Sequence, residues 1–516
     1  MRFLVIPNRR MMTFSPALLR THTVRVLAIV LACMGSTSRA TELDPFADPV
    51  QSENATVDIG LEQIHLPNNQ AMGMLGTSYL VEVTPSILLG PAAYGSVSGS
   101  HGGFFTGGVE LAWYYDLGLN ASLQTGIYVG GGGGGTALVG GGLMIRPHAD
   151  LMWDFGNYRA GISASNVRFP NGYINSNQIG LVIDFDTEFR HVDPSLSGTD
   201  LPLRERTGIG FDRFILDVGA YNPSKSAIFL NGAPITQPIG YVGMRMERFV
   251  TPNIFVGIEA NGAGSGGVAG YAEYLGNIGV ETAVLDNYIT LGTRFGLGMG
   301  GGGAISVGGG ALVKAGAYAT ANLTRNLHLS LEGGVVDSPN GNFRALYDSL
   351  ALQWDLDHPY SANPTSSVVV NEWVAGTQHY FLAARKNGTV QSMDVLTLKL
   401  NRYVTDSLYL TGQANSAYNG QAGGFSVGLI GAGYRTPQIV SGLFAGAELL
   451  AGAAGGGGVD TSGGVVAQPM LYVGADINRA VAVRFSAGRI KALKGTLDSN
   501  LLELALSYTF GTTSRN

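Results

Sequence analysis

The chain has 516 residues, 77 of them glycine, with 13% charged residues and a formal net charge of −6. So low a charge content falls short of the roughly one quarter usual in soluble domains, and an acidic chain without a basic stripe interleaved with aromatics argues against a nucleic-acid partner. The single cysteine, Cys33, excludes a disulfide framework.

In chain order, Arg9, Arg10, Arg20 and Arg25 form a basic leader, and Val26–Met34 is a short apolar core. Ser38-Arg39-Ala40 then offers small residues around a cleavage point, so residues 1–40 are expected to be an export signal. The alternative is lipidation at Cys33, which follows Val30-Leu31-Ala32, with leucine a poor fit directly before the alanine. Residues 41–56, with Glu42, Asp44, Asp48 and Glu53, are expected to be an extended periplasmic segment; a plug or docking peptide is the other use for them.

A threefold internal repeat follows. Glycine runs stand at Gly130–Gly135, Gly300–Gly303 and Gly455–Gly458, and at nearly equal distances beyond them come the turn glycines Gly172, Gly341 and Gly495. Equal offsets past those turns bring Leu181, Ile183 and Phe185, then Leu350, Leu352 and Trp354, then Leu504, Leu506 and Tyr508. The units are placed at 57–189, 208–356 and 378–511, with linkers at 190–207 and 357–377 and a tail at 512–516. The first unit reads as strands at 57–66, 75–84, 87–97, 104–116, 119–129, 143–155, 158–169 and 178–189. Turns such as Thr84-Pro85-Ser86 and Thr251-Pro252-Asn253 join antiparallel neighbours.

The alternation separates two faces. Ile145, Ala149, Leu151, Trp153 and Phe155 point one way; Arg146, His148, Asp150 and Asp154 point the other. With no apolar stretch of about 20 residues for a membrane helix in the mature chain, the pattern fits an all-β, antiparallel transmembrane β-barrel. Three units of about eight strands give one barrel of about 24, which is the favoured expectation because repeated hairpins extend one continuous sheet. Three separate eight-stranded barrels, with polar side chains packed against one another, are the alternative.

The last strand supports the same class. Leu502, Leu504, Leu506, Tyr508 and Phe510 alternate with Glu503, Ala505, Ser507 and Thr509. An amphipathic terminal strand ending Tyr-Thr-Phe resembles the C-terminal strand of Gram-negative outer-membrane β-barrels, although six residues follow Phe510 here. The resemblance implies an outer-membrane location, recognition by the barrel-insertion machinery, and chain ends on the periplasmic side.

In a wide barrel the polar face lines a lumen, and Arg146, His148, Asp150, Asp154, Asp184, Arg294, Lys314, Lys399, Arg484 and Glu503 are the lumen-lining candidates. Their mixed signs predict weak ion selectivity. The expected function is a channel or export conduit. Its outer loops read as short, so a plug from the N-terminal segment or a periplasmic or secreted protein partner is needed to close it. The second reading is a structural or adhesive surface barrel without a pore.

A third reading is a lipid-modifying enzyme, since outer-membrane barrels include lipases. It would draw on Ser98, Ser100 and His101, with Glu110 and Asp116 near in sequence, but no histidine repeats there in the other units and no Gly-x-Ser-x-Gly elbow is present. No catalytic, cofactor or metal residues are therefore expected. The glycine runs are followed by strands, not a helix N-terminus, and lack Gly-Lys-Ser/Thr, so they are not phosphate loops. They read as outer turns, or else as close-approach surfaces for a partner chain, since glycine lets backbones touch.

Overall fold

The structure, a computed structural model, describes residues 49–202, 206–285, 287–361, 365–440 and 442–515, with residue 68 by its backbone alone. The expected export signal, Cys33 and residues 41–48 lie outside the described residues.

Strict alternation yields strands throughout, with two single-turn 3-10 segments and no α-helix among the described residues. The first set comprises β1 (Val50–Leu66), β2 (Gln70–Thr84), β3 (Ile87–Ser98), β4 (Phe105–Gly118), β5 (Ala121–Gly133), β6 (Met144–Asp154), β7 (Arg159–Arg168) and β8 (Asn175–Val192), followed by the two-residue β9 (Asp200–Leu201). The second comprises β10 (Arg213–Pro223), β11 (Ile239–Phe249), β12 (Ile254–Ala263), β13 (Ala272–Val284), β14 (Ile289–Gly301), β15 (Ala311–Asn322), β16 (Leu327–Asp337) and β17 (Arg344–Asp355). The third comprises β18 (Ser366–Ala384), β19 (Val390–Tyr403), β20 (Leu408–Asn419), β21 (Ser426–Arg435), β22 (Leu443–Gly455), β23 (Val465–Asp476), β24 (Val481–Ala492) and β25 (Asp498–Arg515).

Within each set every strand pairs antiparallel with the next, and the last returns to the first. β8 pairs with β1, β17 with β10, and β25 with β18. The single wide barrel favoured from sequence is therefore not formed; the pairings close three rings of eight strands. The reason lies in the closing register. Outward Ile59 and Leu61 meet Ile183 and Leu181, while inward Arg213 meets Asp355 and Gln378 meets Glu503. Each set thus satisfies both its apolar and its polar face locally and leaves no open edge.

Several strands run further than the alternation suggested. β1 begins at Val50, β18 at Ser366, and β25 continues to Arg515 through most of the expected tail. These extensions find partners: Val50 opposes Val192, Ser366 opposes both Arg515 and Leu201, and Gly511 opposes Val192. The first and third rings are thereby stitched together at the end that carries Val50 and Arg515. An aromatic cluster covers the stitch, with Phe189 packed 5.0 Å from Trp373 and 5.1 Å from Phe510 between ring centroids.

The glycine runs join the rings at the opposite end. Strand contacts run cyclically: β3 against β14, β12 against β22, and β20 against β5. At each junction a loop glycine lies on the next ring's run. A Cβ on Gly103 would stand 2.3 Å from Gly302 N, on Gly270 2.7 Å from Gly456 N, and on Gly424 2.9 Å from Gly134 N. The Gly102 amide donates to Gly308 O at 2.9 Å, and the Gly424 amide to Gly132 O at 3.0 Å. Only glycine permits this, for two reasons. Any side chain would collide, and the runs turn through left-handed φ values of 55°, 57° and 54° at Gly135, Gly303 and Gly457. The runs are thus close-approach surfaces between parts of one chain. A stacked Phe105–Tyr274 pair, 4.0 Å between centroids, seals the first junction.

Inside and outside are inverted relative to a soluble sandwich. Leu181, Leu331, Leu449 and Leu471 are each about two-thirds exposed on the ring exteriors (66%, 65%, 67% and 68%). Arg245 and Arg484, at 2% and 1%, are buried within.

Candidate functional site

The chemistry-bearing side chains converge in the ring interiors, at mid-height. In the first ring, β6 aims Arg146 at β1, where its Nε and Nη2 donate to the two carboxylate oxygens of Glu62 at 3.0 and 3.1 Å. Arg146 Nη1 donates to Tyr94 Oη at 3.2 Å, and that hydroxyl donates to Glu110 Oε2 at 3.0 Å. His148 Nδ1 lies 2.8 Å from Asp150 Oδ2, and its Nε2 is 3.1 Å from Glu110 Oε1, an ion-pair contact outside hydrogen-bond geometry. Asp184 sits opposite Asp58 in the register, 3.6 Å from the Arg159 guanidinium. A cavity of about 30 Å³ remains beside Glu62, Arg146 and His148, enough for about one water.

The second ring is denser. Lys314 Nζ donates to Glu259 at 2.6 Å and Glu273 at 3.0 Å. Arg294 bridges Glu247 and Glu332, each at 2.5 Å, and Arg245 shares Glu332 at 2.6 Å. In the third ring Lys399 bridges Glu448 and Glu503 at 2.9 and 3.0 Å. Arg484 donates to Glu448 at 2.6 Å and Glu372 at 3.3 Å.

Apolar layers lie above and below these networks. Toward the glycine end, Phe104, Tyr128, Met144 and Phe169 fill the first ring, Tyr221, Tyr271 and Phe343 the second, and Tyr380, Phe425 and Val466 the third. Toward the other end stand Leu80, Leu88 and Ala112, Phe249, Phe255 and Tyr318, and Tyr409, Phe444 and Tyr472. The expectation of uniformly short outer loops also fails in the second ring. Residues 224–238, broken out of alternation by Pro234 and Pro238, fold over its mouth, burying Ala227 and Ile235 with Phe229 packed against them.

Of the lumen candidates, nine are buried in these interiors: Arg146, His148, Asp150, Asp184, Arg294, Lys314, Lys399, Arg484 and Glu503. They form three separate networks and do not line a shared lumen. Asp154 is exposed where β6 ends, accepting the Gly156 amide at 2.6 Å in a turn; the strand bends there, so face assignment lapses. Sequence reading missed their partners Glu62, Glu259, Glu332, Glu372 and Glu448, and weighed Glu110 only as an acid near His101. The signal was present: Glu110 lies between Val109 and Leu111, and Glu448 between Ala447 and Leu449.

The serine–histidine candidates do not assemble. His101 Nδ1 faces Gly135 O at 2.7 Å and its Nε2 faces Gln70 Oε1 at 3.0 Å, so both ring nitrogens have partners other than Ser98 and Ser100.

No protein-family model and no curated protein matches the chain. Solved structures similar to it include Pseudomonas aeruginosa OccK2 (OpdF) in complex with glucuronate, at 9% identity over 90% of this chain and 98% of that one, with a TM-score of 0.23. The outer membrane protein opdK of Pseudomonas aeruginosa is 12% identical over 89% of this chain and 98% of its own, with a TM-score of 0.23. The outer membrane channel DcaP of Acinetobacter baumannii is 9% identical over 89% and 97%, with a TM-score of 0.20.

Proposed function

We propose that the chain is an integral outer-membrane protein of a Gram-negative bacterium, made of three homologous eight-stranded units. A 1–40 signal exports it, and the insertion machinery reads its Tyr508-Thr509-Phe510 strand. The repeated backbone at Gly135, Gly303 and Gly457 supports common descent of the units. Apolar exteriors around buried charge support the bilayer as solvent, because an exposed leucine belt is stable only against lipid.

Within that class, each barrel is closed by its own interior. An eight-stranded barrel is just wide enough for side chains to fill it. The observation that carries the reading is the stack of apolar layer, ion-pair network and apolar layer in every ring. The plug inferred from sequence is thus internal, not borrowed from a partner protein. No enzymatic role belongs to this reading. The protein acts as a membrane-embedded structural body whose loops face the cell exterior.

A second reading keeps a porin-like role, with small ions crossing when a network parts. The residual cavity beside Arg146 favours the first ring as the place. Conductance of the purified protein in planar bilayers tests both. The closed-body reading expects no steps of porin size, and large steps would overturn it. Small steps that grow in Arg146→Ala would favour the second reading.

A further inference from the structure

The turn glycines Gly172, Gly341 and Gly495 align the last hairpin of each ring, and one exposed position differs between the rings. At equal offsets from each glycine, two residues face one another across the hairpin at the glycine end. In the second ring they are Asp337 on β16 and Arg344 on β17. In the third they are Lys491 on β24 and Asp498 on β25. In the first they are Arg168 on β7 and Asn175 on β8. The second and third rings neutralise their cations locally, as cross-strand pairs of opposite charge do. Arg344 lies 3.9 Å from Asp337, and Asp498 accepts from Arg489 at 2.5 and 2.7 Å. The first ring has asparagine where the third has Asp498, and among the described residues Arg168 has no carboxylate within ion-pair distance.

The asparagines beside Arg168 are ordered by one another. Asn166 Nδ2 donates to Asn175 Oδ1 at 3.0 Å and to Asn177 Oδ1 at 2.7 Å. Both β8 asparagines therefore have their carbonyl oxygens occupied, and their amide nitrogens are left to donate elsewhere. With the Arg168 guanidinium they make an exposed row of N–H donors that carries positive charge and no carboxylate. The second ring has nothing equivalent, since Val335 opposes Leu346 where Asn166 opposes Asn177 in the first. Further along the same outward face of β7 and β8 come Ile162, Ile179 and Leu181, exposed members of the apolar belt. The donor row thus sits at the edge of that belt.

We propose that this row binds the phosphorylated sugar head group of an outer-leaflet glycolipid, its phosphate on Arg168, Asn175 and Asn177 and its acyl chains on Ile162, Ile179 and Leu181. Charge complementarity selects the occupant. A phosphate supplies paired acceptors in the geometry a guanidinium prefers, and side-chain amides both donate to and accept from sugar hydroxyls. An apolar surface that begins directly below the donors requires a ligand with acyl chains attached to its anionic head. In the other two rings a local carboxylate already occupies the cation.

The proposal rests on the outer-membrane reading above, which puts the glycine end at the exterior leaflet, and its test keeps the two apart. The full-length protein, extracted from membranes in mild detergent, is stripped of lipid and offered bisphosphorylated lipid A, dephosphorylated lipid A or phosphatidylglycerol, with retention read by native mass spectrometry. A single bisphosphorylated lipid A per chain is expected, held at least about tenfold more tightly than either of the others. Asn175→Asp gives Arg168 the carboxylate that the third ring has in Asp498, and Arg168→Gln removes the cation. Each lowers retention of lipid A at least about tenfold, with strand content unchanged by circular dichroism. Equal retention of the phosphorylated and dephosphorylated forms, retention of phosphatidylglycerol as tight as that of lipid A, or no retained lipid at all overturns the proposal. So does native-like retention by Asn175→Asp, which decides alone if Arg168→Gln does not fold. Recovery of the protein in the soluble fraction would instead sink the membrane reading.

Discussion

The glycine junctions and the ring interiors solve opposite packing problems. At the junctions the chain removes side chains altogether, so that backbone meets backbone: Gly103 on Gly302, Gly270 on Gly456, Gly424 on Gly134. In the interiors it brings in its largest polar side chains and neutralises them pairwise. The junctions tolerate no added atom; the interiors tolerate no missing partner. At the glycine end rings meet through bare backbone, whereas the interior of each ring is filled by paired charge.

The interior side of the comparison breaks with the largest effect. Lys399→Met leaves Glu448 and Glu503 buried without their shared cation, and a loss of about 3–5 kcal/mol is expected. Urea titration of the refolded protein in detergent micelles measures it. The double variant Lys399→Met/Glu503→Gln removes the one carboxylate left without a cation, since Glu448 keeps Arg484, and recovers most of that loss. A single variant as stable as the parent would mean that the network is solvated.

The steric side follows. Gly103→Val places a branched side chain where Gly302 N already lies, and the collision should cost about 1–3 kcal/mol. The expected result is loosening between rings with each ring intact: faster proteolysis in the linker segments, with heat-resistant gel mobility of the fragments retained. Loss of every β signal in this variant would show that the rings cannot fold apart.

The smallest effect lies in an outer loop. Asp460 accepts hydrogen bonds from the Thr496 hydroxyl at 2.6 Å and from Ser462, which hold its carboxyl below the usual range. A depressed carboxyl contributes stability that is present above its unfolded-state pKa and lost as pH falls through the folded value. Asp460→Asn should therefore narrow the difference in stability between neutral pH and pH below about 4, where an aspartate titrates, by a few tenths of a kcal/mol at such an exposed site. An unchanged pH profile would remove Asp460 from the account.

Much of this fold was legible in the chain. Period-two alternation gave the strands, and the inward rows of Arg146, Lys314 and Lys399 followed from it. Closure was not legible, because alternation describes one strand's faces and not its neighbours. The amphipathic row Leu181, Ile183 and Phe185 suits any antiparallel partner; only the register with Leu61, Ile59 and Val57 shows that β1 takes it. The acidic partners were not matched to their cations because a lone Glu between apolar residues, such as Glu448, has no local signature of its pair; Glu62, which holds Arg146, lies on another strand. The glycine runs were read as turns because their use depends on a second surface distant in sequence.

The central claim is that each set of eight strands closes on itself. Cysteine pairs test it most directly, since the chain's one native cysteine lies within the expected export signal. The variant Ile59→Cys/Ile183→Cys joins facing positions of β1 and β8. The account predicts that it oxidises readily to an intramolecular disulfide in membranes, whereas Ile183→Cys/Leu216→Cys, outward positions of β8 and β10 that would face one another in a single wide barrel, does not. Ready oxidation of the β8–β10 variant, with both thiols of the β1–β8 variant left reduced, would contradict it and restore a single wide barrel.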